Sequence, residues 1–317
     1  MSQFEKSVFV AGSTGMVGSA VVRELNRRGH DGIITSATSD LDLTDQKAVD
    51  CFFEAQKPQI VILAAAKVGG ILANNTFRAD FIYNNLMIEA NVIHSAYRHG
   101  VEKLIFLGSS CIYPKFAKQP MAEEELLTGP LEFTNEPYAI AKIAGIKLCE
   151  SFYRQYGCNF ISAMPTNLFG ENDNFDLESS HVIPALIRKF HDAKSAGAAE
   201  VVVWGTGTPK REFLYVDDLA EAIVFLMEYV EAPQLYDKGI SHLNIGSGQD
   251  IEIGDLAQLV KKVVGYNGDI SFDRTRPDGT PRKLMDVSRM GNLGWTYKTE
   301  LEVGLERTYS WFLNNRT

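Results

Sequence analysis

The chain has 317 residues, 45% of them hydrophobic and 22% charged, with a formal net charge of −9. That length supports a sizeable core. The acidic balance excludes a general nucleic-acid binder, which would need a cluster of cations. The longest apolar run, 58–66, contains Gln59 and falls far short of a membrane span. The opening residues carry charge and lead straight into a strand pattern, so no secretory leader is expected. Cys51, Cys111, Cys149 and Cys158 show no CxxC spacing. Free thiols in a reducing cytoplasm, and no metal site, are expected.

Residues 7–11 read as a short buried strand. Gly12, Ser13, Thr14, Gly15, Met16, Val17 and Gly18 follow at once, and a helix is expected from about Ala20 to Arg28. A glycine turn between strand and helix lets backbone amides approach a pyrophosphate. Glycines also serve tight packing, so the weight lies on their position at the first strand-to-helix turn. The second strand spans roughly 32–35. An acid at its end would bind ribose hydroxyls, whereas an arginine would pair with a 2′-phosphate. Ser36, Ala37 and Thr38, with Thr14, offer no charge, and the choice between the two nicotinamide cofactors stays open. Lys57-Pro58 ends a helix, and 60–66 is a buried strand. Residues 67–70 form a loop over the cofactor site. A helix over 81–97 carries Ile82, Leu86, Ile93 and Ala96, and a strand runs 104–108. This alternation predicts an α/β fold, a doubly wound parallel sheet of Rossmann type.

Leu107, Gly108, Ser109, Ser110 and Cys111 leave the end of that strand, where open α/β sheets bind ligands. Ser109 there suits a carbonyl, or simply a turn. About thirty residues on, Tyr138 and Lys142 stand four apart on one helix face. Pro137 fits the first helical position, with Thr134 or Asn135 as cap. An ammonium beside a phenol lowers its pKa and equips it to exchange a proton with a carbonyl or alcohol. Alone, the pair reads as the edge of an amphipathic helix. A strand over 159–163 leads to Pro165, Thr166, Asn167 and Leu168. After Gly170 the alternation breaks, and a smaller α+β substrate domain is expected. The expected division is 1–170 and 171–317, with segments near 214–250 returning to the first part. Helices are expected over 253–264 and 301–312.

The glycine spacing resembles the extended short-chain dehydrogenase/reductase superfamily, and serine with YxxxK agrees. Several stretches, taken together, resemble the GDP-L-fucose synthase family within it. They are Gly12–Gly18, Ala64–Gly70, Gly108–Pro114, Asn135–Lys142, Met164–Asn167, Ser180–Pro184, Val202–Gly205, Arg211–Leu214, Val216–Asp218 and Pro277–Arg282. The cysteine after two serines and the isolated Ser-His are the specific features.

That resemblance implies two chemistries in one pocket: 3,5-epimerisation of GDP-4-keto-6-deoxy-D-mannose, then reduction of the 4-keto group by NADPH. It assigns Ser109, Tyr138, Lys142, Cys111 and His181 to catalysis. Ser109 and Tyr138 would stabilise the enolate and later the alkoxide. Cys111 as thiolate and His181 as imidazolium, both titrating near neutrality, would serve as base and proton donor. The implied NADP(H) site comprises residues 12–18, Thr38, Leu107, Gly108, Ser109, Ser110, Lys142, Pro165, Thr166, Asn167, Leu168 and His181, with NAD(H) the alternative.

Lys189, Trp204, Arg211 and Asp278 would hold the GDP-sugar. A diphosphate suits the two cations, the indole can stack, and the aspartate can accept from hydroxyls. Without the resemblance, Cys111 and Trp204 would be core, His181 a helix cap and Lys189 surface charge. The uncharged Thr14 and Thr38 depart from the cations expected for NADPH. The resemblance also implies a homodimer through the 81–97 helix. Two other readings are GDP-L-colitose synthesis from a 3-deoxy substrate and a non-catalytic NADP(H)-binding sensor or scaffold.

Overall fold

A computed structural model describes residues 6–177, 179–276 and 278–315. Pro277 of the Pro277–Arg282 motif lies outside them. The first half runs β1 (Val8–Ala11), α1 (Met16–Arg27), β2 (Ile33–Thr35), α2 (Gln46–Gln56), β3 (Ile60–Leu63), α3 (Ile71–Thr76), α4 (Arg78–Arg98), β4 (Lys103–Leu107), α5 (Glu136–Tyr156) and β5 (Phe160–Pro165). It continues through β6 (Asn167–Phe169), α6 (Val182–Ala196), β7 (Glu200–Trp204), β8 (Lys210–Tyr215), α7 (Val216–Tyr229) and α8 (Ala232–Tyr236). The last elements are β9 (Leu243–Ile245), β10 (Asp250–Glu252), α9 (Ile253–Val264), β11 (Asp269–Asp273), β12 (Arg282–Lys283), α10 (Ser288–Leu293) and α11 (Leu301–Asn314).

Val8 and Val10 of β1 join one core, and Phe9 and Ala11 join another on the opposite face. A strand buried on both faces belongs inside a parallel sheet covered by two helical layers. The sheet order is β2-β1-β3-β4-β5-β9, parallel throughout. This is the expected doubly wound, Rossmann-type α/β sheet. The chain steps from β1 outward to β2 and then back across to β3. That reversal opens a crevice at the carboxyl ends of β1 and β3, where such sheets take ligands.

Local details differ from the sequence reading. The first helix begins at Met16, not near Ala20. Gly18 sits inside its first turns because the helix packs onto its own leading loop: a Cβ there would lie 2.0 Å from the Gly12 oxygen. Gly12 has φ +86°, a region open to glycine. The 60–66 stretch leaves the sheet after Leu63, and Pro137 is the second residue of α5, not the first. α4 buries Phe81, Asn85, Glu89, Val92, Ile93 and Ala96. Four polar residues of the helix, Asn85, Glu89, Asn91 and Ser95, are buried, while Ile82 and Leu86 are only half-buried.

The remaining strands build smaller sheets. β8 lies between β10 and β12 and also pairs with β6, while β7 pairs with β11. Phe169, Ile187, Phe190, Tyr215, Leu256, Val260 and Phe312 form their core. Among the described residues, no helix is long and apolar enough to cross a membrane.

Candidate functional site

The glycine loop presents amides rather than side chains. Gly15 caps α1 without a side-chain bond, and the first turn holds no acid. The leading N–H groups and the helix dipole are therefore suited to an anion. A Cβ on Gly12 would lie 2.7 Å from the Ala65 nitrogen, so the loop sits directly on the end of β3. Ser13 Oγ donates to the Ser36 carbonyl at 3.3 Å, tying the loop to the end of β2. Thr14 and Thr38 are exposed nearby in the chain.

Beyond β4 the chain tightens into a short 3-10 turn, Ser110–Ile112, capped by Ser109. Ser109 Oγ accepts from the Cys111 amide at 3.4 Å. The same hydroxyl stands beside both the Tyr138 phenol and the Cys111 thiol and lowers the pKa of each. One serine therefore acts on the two reactive groups. Beneath them Lys142, only 2% exposed, donates to the Leu107 carbonyl at 3.0 Å. Its ammonium lies 3.1 Å from the buried carboxylate of Glu89 and 5.7 Å from the Tyr138 ring centre.

The electrostatics correct the expected protonation states. Burial, then the charges of Cys111 and Glu89, hold Tyr138 well above an ordinary phenol, against the pull of Ser109. Lys142 does not make the tyrosine acidic, because burial outweighs it and the charges of Cys111 and Glu89 act the same way as burial. Burial also pushes the Cys111 thiol up, while Ser109, Lys283 and Lys142 pull it down. Desolvation lowers His181. Cys111 and His181 therefore rest as thiol and neutral imidazole at neutral pH, not as thiolate and imidazolium.

His181 is the N-cap residue of α6, but its side chain makes no cap bond. The residue is exposed, and among the described residues it hydrogen-bonds none of the other four groups. Its loop is tied to the 67–70 loop by the Gly70 amide, which donates to the Ser179 carbonyl at 3.0 Å. Thr166 Oγ1 and Asn167 Nδ2 both donate to the Glu212 carbonyl, fixing the Pro165–Leu168 segment against β8. Trp204 is 54% exposed rather than core, between the Lys189 ammonium at 5.0 Å and the Arg276 guanidinium at 4.8 Å. Asp278 accepts from the Thr206 amide and hydroxyl, which hold its carboxyl below the usual range. Arg211 on β8 lies beside Lys283 on β12 in register. Burial lowers both cations, and Lys283 gains from the nearby Cys111. Lys283 is a site residue that the sequence reading missed, one position beyond a motif it quoted.

The turn that carries Cys111 is anchored from below. Tyr113 Oη bonds His242 Nε2 at 2.8 Å and also Asn244 Oδ1. The Asn244 amide donates to Glu123, which Arg289 meets at 2.8 Å. Burial first, then Arg289, drives His242 down to about 3. A histidine depressed on folding gives its full stability above the unfolded value near 6.5, and that stability is lost as pH falls toward 3. Lowering pH from about 7 to 5 should therefore cost about 2 kcal/mol through this residue alone. Urea unfolding at the two pH values should show wild type losing that much more than His242→Gln; equal losses would contradict the assignment.

Residues 8–246 match the model of the NAD dependent epimerase/dehydratase family. GDP-L-fucose synthase 1 of Arabidopsis thaliana is 59% identical over 315 residues, covering 99% of this chain and 95% of its own. The chain belongs to the GDP-L-fucose synthase family. The GDP-L-fucose synthetase of Naegleria fowleri bound to NADP superposes with a TM-score of 0.89 at 30% identity, covering 99% of this chain and 96% of that one. The GDP-L-colitose synthase of Yersinia pseudotuberculosis is more distant, 37% identical, with 98% of each chain covered. Within this family member, the groups brought together are Ser109, Cys111, Tyr138 and Lys142, with Glu89 and Lys283 added by the fold. Among the described residues, no cluster of histidine, cysteine and carboxylate side chains has the arrangement of a metal site.

Proposed function

We propose that the chain converts GDP-4-keto-6-deoxy-D-mannose to GDP-L-fucose by 3,5-epimerisation followed by NADPH-dependent reduction of the 4-keto group. What supports this is that one hydroxyl, that of Ser109, stands close enough to both Tyr138 and Cys111 to lower the pKa of each. One carbonyl bound there meets a polariser shared by the two chemistries. The 4-keto group acidifies the hydrogens at C3 and C5. Once its thiol has lost its proton, a step that Lys283 and Lys142 favour, Cys111 as thiolate takes the proton from one face. His181, after taking up a proton to become imidazolium, gives it to the other face, which inverts the centre. Ser109 and Tyr138 bond the enolate oxygen meanwhile. In the second stage Tyr138 gives its phenolic proton to the oxygen at C4.

NADP(H) fits the residues present. The Gly12–Gly18 loop and the free first-turn amides suit the pyrophosphate. Lys142 suits the nicotinamide ribose, and Thr14 and Thr38 the adenosine end. When bound, it supplies the hydride. Leu107, Gly108, Ser110, Pro165, Thr166, Asn167 and Leu168 complete its surroundings, with His181 at the rim. Lys189, Trp204, Arg211 and Asp278 hold the GDP-sugar, the cations taking the diphosphate. The division into a cofactor part, 1–170 with segments near 214–250, and a sugar-nucleotide part, 171–317, belongs to the same reading. Exposed Tyr83, Tyr97, Ile140 and Tyr156 on α4 and α5 support a homodimer through these helices, and four free thiols support a cytoplasmic setting.

The complete proton-transfer set speaks against a non-catalytic sensor. The higher identity of the fucose synthases favours them over the colitose reaction. The test supplies the substrate with NADPH or NADH, follows cofactor oxidation and identifies the product by NMR. GDP-L-fucose is expected, faster with NADPH. Turnover of only the 3-deoxy substrate would select the colitose reaction, and turnover of neither would leave a binding protein.

A further inference from the structure

Glu89 is a full-length carboxylate buried where the mechanism above makes no use of it. It is 1% exposed, on the inner face of α4. The facing helix α5 is shaped to receive it. Residue 145 is glycine, and a Cβ there would lie 2.9 Å from Glu89 Oε2 and 2.3 Å from the Phe106 ring. Among the described residues neither carboxylate oxygen has a hydrogen-bond partner; what meets the carboxylate is the ammonium of Lys142, one turn earlier on α5, 3.1 Å away. Lys142 is then fixed on two sides, by Glu89 and by the Leu107 carbonyl at 3.0 Å. Gly145 therefore serves as the slot for an acid from the neighbouring helix.

We propose that Glu89 is a positioning residue for the reduction: it grips the Lys142 ammonium beneath Tyr138 and cancels its charge, so that the tyrosine stays a neutral proton donor. This inference rests on the reductase reading above. The groups facing these residues are few. Cys149 and Lys142 on α5 face Glu89, alongside Phe106 of β4. Cys111 and Ser109 after β4 face Tyr138, Glu89 acts on it from α4, and Lys283 of β12 stands beyond Cys111. The Lys142 ammonium lies 5.7 Å from the centre of the Tyr138 ring. Burial, then the charges of Cys111 and Glu89, hold the phenol well above its ordinary value; burial also pushes Glu89 up to about 7, so its carboxylate compensates the ammonium above that pH, where the basic limb lies. Without that carboxylate the uncompensated ammonium favours the phenolate. Reduction requires the protonated phenol, so activity is lost as pH rises through its pKa.

The test compares wild type, Glu89→Gln and Glu89→Asp in the reduction of GDP-4-keto-6-deoxy-D-mannose across pH. Gln keeps the shape of the side chain but not its charge. Its basic limb should move down by about one to three pH units, the size of effect that one adjacent charge has on a buried group. The fall should be in kcat above that limb, with the KM for the GDP-sugar and solvent-deuterium exchange at C3 and C5 near wild type. Asp should bring the limb back toward the wild-type position, and it carries the test if Gln does not fold. A Gln variant with lowered kcat, raised KM and an unmoved limb would reduce Glu89 to packing and overturn the inference. Absence of turnover by wild type would instead overturn the reductase reading.

Discussion

Tyr138→Phe is expected to lower the rate of 4-keto reduction by about 10²–10⁴-fold, the range a positioned general acid supplies. Cofactor affinity should stay within about twofold, since proton transfer and binding are separate contributions. The deletion is clean in structural terms. The ring packs edge-on against Phe81 with centroids 6.3 Å apart, and phenylalanine keeps that contact. Only the hydroxyl beside Ser109 is removed. Because the phenol lies well above its ordinary value, it is a fully protonated donor at neutral pH. Deuterium exchange at C3 and C5 should slow far less, because Ser109 still bonds the enolate. Single-turnover cofactor oxidation measures the first rate, and NMR of the sugar measures the second. Reduction at the normal rate would remove Tyr138 as the proton donor.

Cys111→Ser should abolish exchange at C3 and C5, a loss on the order of 10²–10⁴-fold, while cofactor binding survives. The substitution replaces sulfur by oxygen in a side chain 8% exposed and leaves the backbone bond to Ser109 in place. An alcohol is a far weaker acid than a thiol, so the alkoxide that would replace the thiolate is not reached. The observed resting state sharpens this expectation. Burial holds Cys111 as a thiol, and Ser109, Lys283 and Lys142 offset that cost. The base is made by charge brought next to the thiol, and the cysteine itself is the group those cations act on. Unchanged exchange would take Cys111 out of the mechanism.

Much of this arrangement is written in local sequence. The glycine loop, the four-residue spacing of Tyr138 and Lys142 and the apolar strands each follow from a backbone period or a turn requirement. α1 was misjudged at its start because Gly18 reads as a helix breaker, whereas contact with Gly12 demands it. Glu89 was invisible for a different reason. An acid on a long helix reads as a solvated face, and its partner Lys142 lies on another element. Lys283 becomes a site residue only through the ladder that sets it beside Arg211. The protonation of Cys111 differs from the expectation because reference pKa values hold in water, while this side chain is buried in protein.

The outer strand β9 pairs with β5 in the main sheet, although residues 166–242 separate them. On the ribosome, β5 emerges well before its neighbour. At roughly 5–20 residues per second, the intervening segment takes about 4–16 s to synthesise. During that interval the nascent chain presents an open strand edge, and Ile161 and Ala163 lack the cover of Leu243, Ile245 and α7. The half that carries the glycine loop and the catalytic tyrosine therefore cannot finish folding co-translationally in order of synthesis. It waits for the later half, and that delay is when the chain is most exposed to chaperones, proteases and mispairing.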